Sequence, residues 1–467
     1  VIVFQLRKGV LFHDGHEFDS GDVRFTYDAI MNPDNLSPRT SDYEPVKRVE
    51  TPDRYTVRVT YKRLYSPAFG TWGMGMLPEH LLNAQALAEE ARRLKRDPSK
   101  FTLRDSGFNR SPTGTGPFRF QEWRSDEVIR LVRFEKYWEG PPQYQEYISR
   151  IIPDALTQEV AFYSGTVDSY TAGVHQVERL RKDPRFQVFS GLAFGYTYIG
   201  YNLRRPPFGD ARVRRALTMA IHTRQIQEFL LYGEAEDITG PFVKQSDHYD
   251  KDVKPLPYDP QGAERLLHEA GWRKVNGAMQ KDGKPLQFTL LTNHGNEVRK
   301  AIAVAAQDAW KKIGVEAKVD LVEWAVFIQK YINTLNYDAV ILGWRMGLDP
   351  DLYQIWHSSQ TGPGQLNFVG YQNPEADRLI IKIRQEYDHK KQVAYAYQLH
   401  RIIHADQPYT FLYVGKVTGL LDRKIAIFEP GPDGKPRYQK IAATKTGNYT
   451  FHFNKWLKLP AVPQFEN

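Results

Sequence analysis

The chain has no cysteine among its 467 residues. This absence excludes disulfides, thiol nucleophiles and cysteine-bound metals, and it leaves the cellular compartment open. Long apolar runs are also missing, since no stretch approaches the roughly 18 apolar residues that a membrane helix requires. The N-terminus does not show the basic and then apolar pattern of a secretory signal. It begins with VIVFQLRKGV, the pattern of an interrupted strand, so we expect a further segment before Val1.

A large excess of one charge is lacking as well. The 63 basic and 55 acidic residues give a net charge of +8. The two most basic stretches, ARRLKRDPSK (91–100) and DARVRRAL (210–217), are short and have the pattern of solvated helix faces. They do not form the basic stripe of a nucleic-acid-binding protein, so nucleic acid is not an expected partner.

Aromatic residues, in contrast, are abundant. The 27 Tyr and nine Trp exceed what a core of this size needs. Large flat side chains with a polar tip suit the walls of a ligand site. The composition therefore favours a stacking or peptide-enclosing site.

The length predicts two or three domains. Residues 1–145 have mainly a β pattern: RYTVRVTYK (54–62) alternates strictly, and GPFRFQEW and VIRLVRFEKYW form a predicted hairpin. Further on, the segment DARVRRALTMAI (210–221) predicts a helix. A stretch rich in Gly and Pro (240–260) is a candidate linker between domains.

Strands and helices alternate regularly after this stretch. Asp259 as N-cap, Pro260 at the first position and Gly271 at the end predict a helix. A second helix is predicted with Ile302, Ala305, Ala309 and Ile313 on one face, and a third over AVFIQKYINTLN. The predicted strands are LQFTLLTN (286–293), VEAKVDLVEW (315–324) and YDAVILGW (337–344). This order predicts a parallel α/β sheet.

Ligands of such sheets bind outside the carboxyl ends of the strands. Three segments leave those ends, at 292–297, 322–324 and 343–351, and should meet at one crevice. We expect Trp324 and Trp344 to face it together, although packing in the core suits them equally. The candidate ligand-binding residues are Asn293, His294, Trp324, Gly343, Trp344, Arg345, Met346, Gly347 and Asp349.

The segment GWRMGLDPDLYQIWHSS (343–359) also raises the question of catalysis. Asp349 and Asp351 could be a carboxylate pair of a hydrolase, but their spacing across Pro350 favours a helix start with Asp349 as N-cap. His357 and Ser358 are adjacent in sequence, which does not suit a nucleophile and its base. No catalytic set is predicted, so the chain is not expected to be an enzyme.

The sequence does not support a metal site either. His13, His16 and Glu17 lie around Gly15 in FHDGHEF, a spacing typical of a polar turn rather than of a metal-binding helix. The glycine-rich GTGPF (114–118) lacks the Lys-Ser/Thr of a phosphate loop. We expect no metal and no cofactor.

Six segments in the right order resemble one family, the extracytoplasmic solute-binding proteins of peptide- and nickel-type ABC importers. These segments span almost the whole chain. They are FQLRKGVLFHDGHEFDSGDVRFTYDAI (4–30), PTGTGPFRFQEW (112–123), YIGYNLRRPPFGDARVRRALTMAI (198–221), YDPQGAERLLHEAGW (258–272), DAVILGWRMGLDPD (338–351) and NFVGYQNPEADRLI (367–380).

The resemblance implies an α/β fold of three lobes, in which two large lobes joined by a hinge enclose the ligand. Residues 1–145 correspond to a small β-rich extra domain, with the chain starting inside it. Residues 146–238 together with 436–467 form the first large lobe, and residues 239–435 the second. The family normally has strands before the segment at 4–30. A signal or lipid anchor would also lie there, which implies a location in the periplasm or on the outer face of the cytoplasmic membrane.

The resemblance further implies a receptor, expected as a monomer, that captures a peptide-like solute and delivers it to an ABC permease. One departure bears on the ligand. Peptide-binding members place an aspartate just after the GW pair to hold the peptide amino group, whereas this chain has Arg345, Met346 and Gly347 there. An oligosaccharide is therefore the alternative ligand. His222, where an Asp is usual, is interpreted as structural, because it is expected to sit in a helix rather than at a strand end.

Overall fold

A computed structural model of the chain describes residues 1–37, 39–431, 436–444 and 447–465. It consists of two compact units. Unit 1 comprises 1–173, 178–189 and 419–467, and unit 2 comprises 174–177 and 190–418. Within the described ranges, no helix is both long enough and apolar enough to cross a bilayer.

Strands occur throughout the chain. They are Ile2–Gln5 (β1), Val46–Asp53 (β2), Thr56–Tyr61 (β3), Phe118–Arg124 (β4), Val128–Arg133 (β5), Glu146–Arg150 (β6), Ser169–Thr171 (β7), Phe186–Leu192 (β8), Gly195–Tyr201 (β9), Ala235–Glu236 (β10), Arg273–Val275 (β11), Ala278–Lys281 (β12), Lys284–Pro285 (β13), Gln287–Asn293 (β14), Glu316–Val322 (β15), Ala339–Arg345 (β16), Tyr409–Asp422 (β17), Ile425–Pro430 (β18), Pro436–Gln439 (β19) and Trp456–Lys458 (β20).

The α-helices are interspersed with these strands. They are Ser20–Met31 (α1), Thr40–Tyr43 (α2), Ala68–Thr71 (α3), Glu79–Leu82 (α4), Ala84–Arg93 (α5), Ala155–Tyr163 (α6), Val177–Arg181 (α7), Ala211–Met219 (α8), Thr223–Gln225 (α9), Pro260–Glu269 (α10), Glu297–Lys312 (α11), Trp324–Val326 (α12), Tyr353–Trp356 (α13), Pro374–Gln385 (α14) and His389–Asp406 (α15).

Unit 2 is built on a sheet with the strand order β10-β17-β9-β16-β14-β15. The strands β14, β15 and β16 are parallel, as the sequence predicted. β9, however, enters antiparallel between β16 and β17, so the sheet is mixed. Pairing between segments so far apart in sequence leaves no mark in local periodicity, so it was not predicted.

Both faces of this sheet are covered. On one face, Ala339 and Ile341 of β16 pack with residues of α8, α10 and α11. On the other, Val340 and Leu342 pack with residues of α14 and α15. This two-sided burial explains why the segment YDAVILGW is an uninterrupted apolar run.

Helix α10 begins where the sequence predicted. The Asp259 Oδ1 accepts a hydrogen bond from the Gly262 N–H at 2.7 Å, Pro260 is the first helical residue, and Gly271 adopts a φ of +90° just beyond the helix. The side chain satisfies one of the N–H groups that have no partner inside the helix.

We expect Asp259→Ala to lower the free energy of unfolding by about 1 kcal/mol, because this cap is lost. Urea denaturation monitored by circular dichroism measures the change. Asp259→Asn retains a capping oxygen and should lose clearly less. Equal losses in the two variants would contradict the capping role.

Three other predictions about unit 2 need correction. The proposed linker at 240–260 lies within the unit, and its Phe242, Val243 and Tyr249 are buried. The buried face of α11 has Ala303 and Ala306 where the sequence suggested Ala305 and Ala309, which are half-buried. The helix predicted over AVFIQKYINTLN consists of the short α12 followed by a π-helix over Phe327–Ile332, so it ends earlier than predicted.

Unit 1 contains the predicted alternating strand β3, whose Val57 and Val59 are buried, and the predicted hairpin of β4 and β5. It also contains α1 and α5, which the sequence analysis did not predict. The division into three lobes at 145, 238 and 435 stays a prediction. Its last boundary falls on 432–435, outside the described residues.

Candidate ligand-binding site

The carboxyl ends of β14, β15 and β16 lie along one edge of the unit 2 sheet. β14 and β15 stay paired to their last residues, Asn293 and Val322, and the His294 N–H donates to the Val322 carbonyl at 2.8 Å. β14 and β16 separate earlier. Across the described residues, their register ends at Leu291–Val340, so β16 continues from Ile341 to Arg345 without β14 as a ladder partner.

On its other side, β16 remains paired with β9 as far as Arg345 and Gly195. The Met346 N–H then donates to the Phe194 carbonyl at 2.9 Å. Because hydrogen-bonded pairs alternate along antiparallel strands, the main-chain N–H and C=O groups of Gly343 and Arg345 point away from β9. On this side the Ile341 carbonyl still accepts a hydrogen bond from the Thr292 hydroxyl at 3.2 Å. We call residues 343–345 on this side the free edge of β16.

The Trp344 side chain lies on the face opposite to Gly343. It is half-buried, its Nε1–H donates to the Tyr409 hydroxyl at 3.2 Å, and its ring stacks on Tyr198 with centroids 6.2 Å apart. Tyr198 in turn stacks on Tyr409 at 3.9 Å. Burial raises the pKa of Tyr198 well above its ordinary value, so the tyrosine that stacks on Trp344 stays uncharged. Trp344 is thus a fixed ring with part of its surface open.

Trp324 has different surroundings. It opens α12, is 50% exposed, and makes an edge contact with Phe327 at 6.2 Å. The Glu323 carboxylate accepts hydrogen bonds from the N–H groups of Ala325 and Val326, which fixes this turn beyond β15. The two tryptophans therefore contact different residues, and a shared ligand crevice stays a prediction for them.

The segment after Trp344 leaves the sheet quickly. Arg345 and Gly347 are exposed, and Met346 is half-buried against the cluster around Tyr198. The Asp349 carboxylate accepts a hydrogen bond from the Asp351 N–H at 2.9 Å. Because the helix α13 begins only at Tyr353, the prediction that Asp349 is its N-cap is wrong.

Both carboxylate oxygens of Asp351 have partners nearby. Its Oδ1 accepts a hydrogen bond from the Tyr353 N–H at 3.0 Å, and its Oδ2 forms an ion pair with the Arg384 Nε at 3.0 Å. The Arg384 guanidinium also lies 4.2 Å above the Tyr353 ring. These contacts hold Asp351 in a structural role, and they separate its environment from that of the exposed Asp349.

The His357 imidazole is likewise engaged locally. Its Nδ1 lies 2.9 Å from the Ser359 hydroxyl and accepts a hydrogen bond from the Ser359 N–H, which caps a short turn. Burial lowers the pKa of His357. The Ser358 N–H donates to Asp377. The adjacent His357 and Ser358 are thus not paired with each other.

His13 and Glu17, near the N-terminus, also have hydrogen-bond partners within the protein. His13 places its two ring nitrogens 3.1 Å from the Gly116 carbonyl and 3.1 Å from the Gly114 N–H. Glu17 accepts hydrogen bonds from Gly9 and from the Tyr55 hydroxyl. In the part of the chain that the structure describes, no three His, Asp or Glu residues are grouped as metal ligands.

Arg299, which the fold brings close to Asn293 and Gly343, was not among the residues predicted from the sequence. It lies in the first turn of α11, and its Nη1 donates to the Asn293 Oδ1 at 2.9 Å. Its Nη2 lies 3.3 Å from the point where a Cβ on Gly343 would stand. The available signal in the sequence was a cation in the first turn of a predicted helix. The helix dipole disfavours positive charge at that position, so such a residue is unusual there.

Comparison with known proteins identifies the class. Residues 1–365 match the family model described as bacterial extracellular solute-binding proteins, family 5 Middle. The chain is 36% identical over 420 residues to the oligopeptide-binding protein AppA of Bacillus subtilis (strain 168), covering 88% of this chain and 74% of that protein.

Solved structures agree with this match. The structure of AppA from Bacillus subtilis in complex with a nonapeptide superposes with a TM-score of 0.84 at 31% identity, covering 98% of this chain and 87% of that one. NikZ from Campylobacter jejuni in complex with Ni(L-His) has a TM-score of 0.80 at 24% identity, covering 97% and 87%, and shows the shared fold.

The chain belongs to the family 5 bacterial extracellular solute-binding proteins. This confirms the predicted family and the α/β fold of periplasmic binding proteins. It is thus a substrate-binding transport protein by family. The ligand-binding roles of the nine candidate residues stay predictions.

Proposed function

We propose that this protein is an extracytoplasmic receptor that captures a peptide and delivers it to an ABC importer of the membrane. The observation that carries the proposal is the free edge of β16, which ends beside the fixed ring of Trp344. The likeness to a protein solved with a nonapeptide supports the same ligand class. The role is binding without turnover, and the location is the periplasm or the outer face of the cytoplasmic membrane.

An extended peptide would add to the sheet as a further strand. The outward main-chain groups of Gly343 and Arg345 offer N–H donors and C=O acceptors to it. Such pairing recognises the backbone that all peptides share, while pockets beside the strand select side chains. Trp344 then forms the wall of one pocket. The ligand is held without the aspartate that other peptide-binding members place after Trp344.

Ligand exchange would follow from opening and closing around the peptide. A ligand that binds the closed form more tightly shifts the population towards it. The closed form is then the one that the permease recognises. In this scheme the protein acts as a monomer and needs no cofactor.

Isothermal titration with a mixed pool of peptides tests the proposal, together with mass spectrometry of ligand that co-purifies. We expect heat of binding and peptide masses. No heat with any peptide pool, together with a bound sugar, would overturn the peptide assignment in favour of an oligosaccharide.

We further expect Trp344→Ala to weaken peptide binding at least tenfold, because buried aromatic contacts in binding sites are each worth about 2 kcal/mol or more. Titration of one identified peptide into both proteins measures the ratio, and thermal denaturation checks that the variant is folded. Trp123→Ala, which removes a 38% exposed tryptophan of unit 1, is the matched control and should leave the affinity unchanged. An unchanged affinity in Trp344→Ala would remove Trp344 from the site.

A further inference from the structure

Residues 92–105 of unit 1, which we call the basic segment, carry a large share of the positive charge of the chain. They include six basic and two acidic residues, a net charge of +4 out of the +8 of the whole protein. The basic residues are Arg92, Arg93, Lys95, Arg96, Lys100 and Arg104, and all six are exposed. Half of the excess charge of the protein thus lies in one short stretch of its surface.

Two carboxylates fold the basic segment against α5. The Glu90 carboxylate, on the last turns of α5, accepts a hydrogen bond from the Ser106 hydroxyl at 2.6 Å. The Asp105 carboxylate accepts a hydrogen bond from the Thr102 N–H at 2.9 Å and pairs with the Arg96 Nη2 at 2.6 Å. The end of α5 and the loop that follows it therefore form one compact surface, on which the cations of both are gathered.

Most of these cations have no carboxylate partner. Two of the six are paired, Arg93 with Glu90 at 4.0 Å and Arg96 with Asp105. The cations that form no ion pair among the residues described by the structure are Arg92, Lys95, Lys100 and Arg104. Like charges that are gathered in this way repel one another, and an anionic surface placed against them would relieve the repulsion.

The helix dipole accounts for only part of this arrangement. Arg92 and Arg93 lie in the last turn of α5, where the partial negative charge of the carbonyl groups favours cations. Lys100 and Arg104 lie outside the α-helices, so the dipole does not explain their placement. A partner of opposite charge does.

The basic segment also exposes an apolar side chain where the chain turns. Leu94 is 50% exposed and stands in sequence between Arg93 and Lys95. Lys95 adopts a φ of +56°, and the Arg96 N–H donates to the Ala91 carbonyl at 2.8 Å, so α5 ends in a tight turn at this point. An exposed leucine among cations suits the boundary between lipid headgroups and acyl chains, whereas a soluble polyanion offers it no apolar contact.

We propose that the basic segment binds the anionic phospholipid headgroups of the membrane that carries the importer, with Leu94 inserted among the lipids. This inference rests on the proposed location beside the membrane and does not depend on which ligand is bound. An anionic lipid surface attracts clustered Lys and Arg side chains and raises the affinity by about fivefold per cation. Contact of this kind keeps the receptor close to its permease.

Sedimentation with lipid vesicles tests this assignment. The full chain is mixed with vesicles of phosphatidylcholine alone and with vesicles of equal parts phosphatidylcholine and phosphatidylglycerol. We expect binding to the mixed vesicles to be at least about tenfold stronger. We also expect sodium chloride at about 0.5 M to release the protein, because salt screens charges at a surface.

The double variant Lys95→Gln with Arg104→Gln should weaken binding to the mixed vesicles by about 25-fold, since two cations are lost. Lys95→Arg with Arg104→Lys keeps both charges and should keep the binding. The matched control is Lys47→Gln with Lys136→Gln, which removes two other exposed cations of unit 1 and leaves the same net charge. This control should bind almost as the native protein does, and thermal denaturation checks that all variants are folded.

Leu94→Ser tests the insertion separately from the charge. We expect it to weaken binding to the mixed vesicles by about fivefold, because apolar contact with the lipids is lost, and to leave binding of inorganic polyphosphate unchanged. Leu64→Ser is the matched control, since Leu64 is also an exposed leucine of unit 1, at 66%. It should not change the binding of either probe.

The remaining outcomes would overturn the membrane assignment. Equal binding to the two kinds of vesicle would do so, as would equal losses in the Lys95 and Arg104 variant and in its control. Polyphosphate bound as tightly as the mixed vesicles, with no effect of Leu94→Ser on either, would assign the basic segment to a soluble polyanion instead. Peptide titration is carried out without vesicles, so a failure of the membrane assignment leaves the proposed peptide binding intact, and the reverse also holds.

Discussion

Replacing Gly195 with alanine is expected to lower the free energy of unfolding by about 4 kcal/mol, one of the largest effects of a single methyl group in unit 2. Gly195 faces Arg345 across β9 and β16, with a φ of +149° that side chains rarely adopt. A Cβ there would stand 1.8 Å from the Trp344 carbonyl oxygen and 2.9 Å from its carbonyl carbon. Both are main-chain atoms, so no side-chain rotation relieves the overlap.

The consequence extends to ligand binding, because the strand that must move is the one that carries Gly343 and Trp344. We expect a lower midpoint in urea denaturation and weaker peptide binding in the same protein. Gly191→Ala is the matched control, since Gly191 is exposed and nothing lies within 4 Å of its added Cβ. A Gly195→Ala protein as stable as the Gly191→Ala protein would contradict this prediction. It would mean that β9 and β16 can move apart without a cost in free energy.

The second large effect is expected for Asp351→Ala. This substitution leaves the Arg384 guanidinium, which is only 7% exposed, without its carboxylate. Breaking a buried ion pair by removing one partner costs about 3–5 kcal/mol, because the remaining charge stays away from water. Chemical denaturation should therefore show a strongly lowered free energy of unfolding.

The matched control is Asp308→Asn, which breaks the exposed pair with Lys312, where the two side chains are 64% and 68% exposed. Such pairs contribute about 0–1 kcal/mol. The double variant Asp351→Leu with Arg384→Met should recover much of the loss, because no buried charge is left. A stable Asp351→Ala protein that had lost a hydrolytic activity would instead support the hydrolase interpretation.

Local patterns account for the parts of the fold that the sequence predicted. The apolar run of β16 follows from burial on both of its faces, and the Asp259, Pro260 and Gly271 pattern follows from the needs of helix ends. These signals act within a few residues. They give the elements and the edge where the candidate site lies.

The remainder depends on contacts between distant segments. The insertion of β9 beside β16 joins residues near 200 to residues near 340. The ion pair of Asp351 with Arg384 likewise joins two residues that are distant in sequence. Arg299 was missed for the same reason, because its relation to Gly343 exists only in the folded sheet.

The long segment of unit 2 starts at Ser190 and ends at Thr418, and the hydroxyls of these two residues are 2.9 Å apart. In polymer terms, it is a loop whose ends meet. The entropy of closing such a loop changes by only about 0.6 kcal/mol for each doubling of its length. Insertions and deletions within unit 2 therefore change this closure entropy very little. The lengths of its loops can vary between relatives while β8 and β17, which carry Ser190 and Thr418, stay paired.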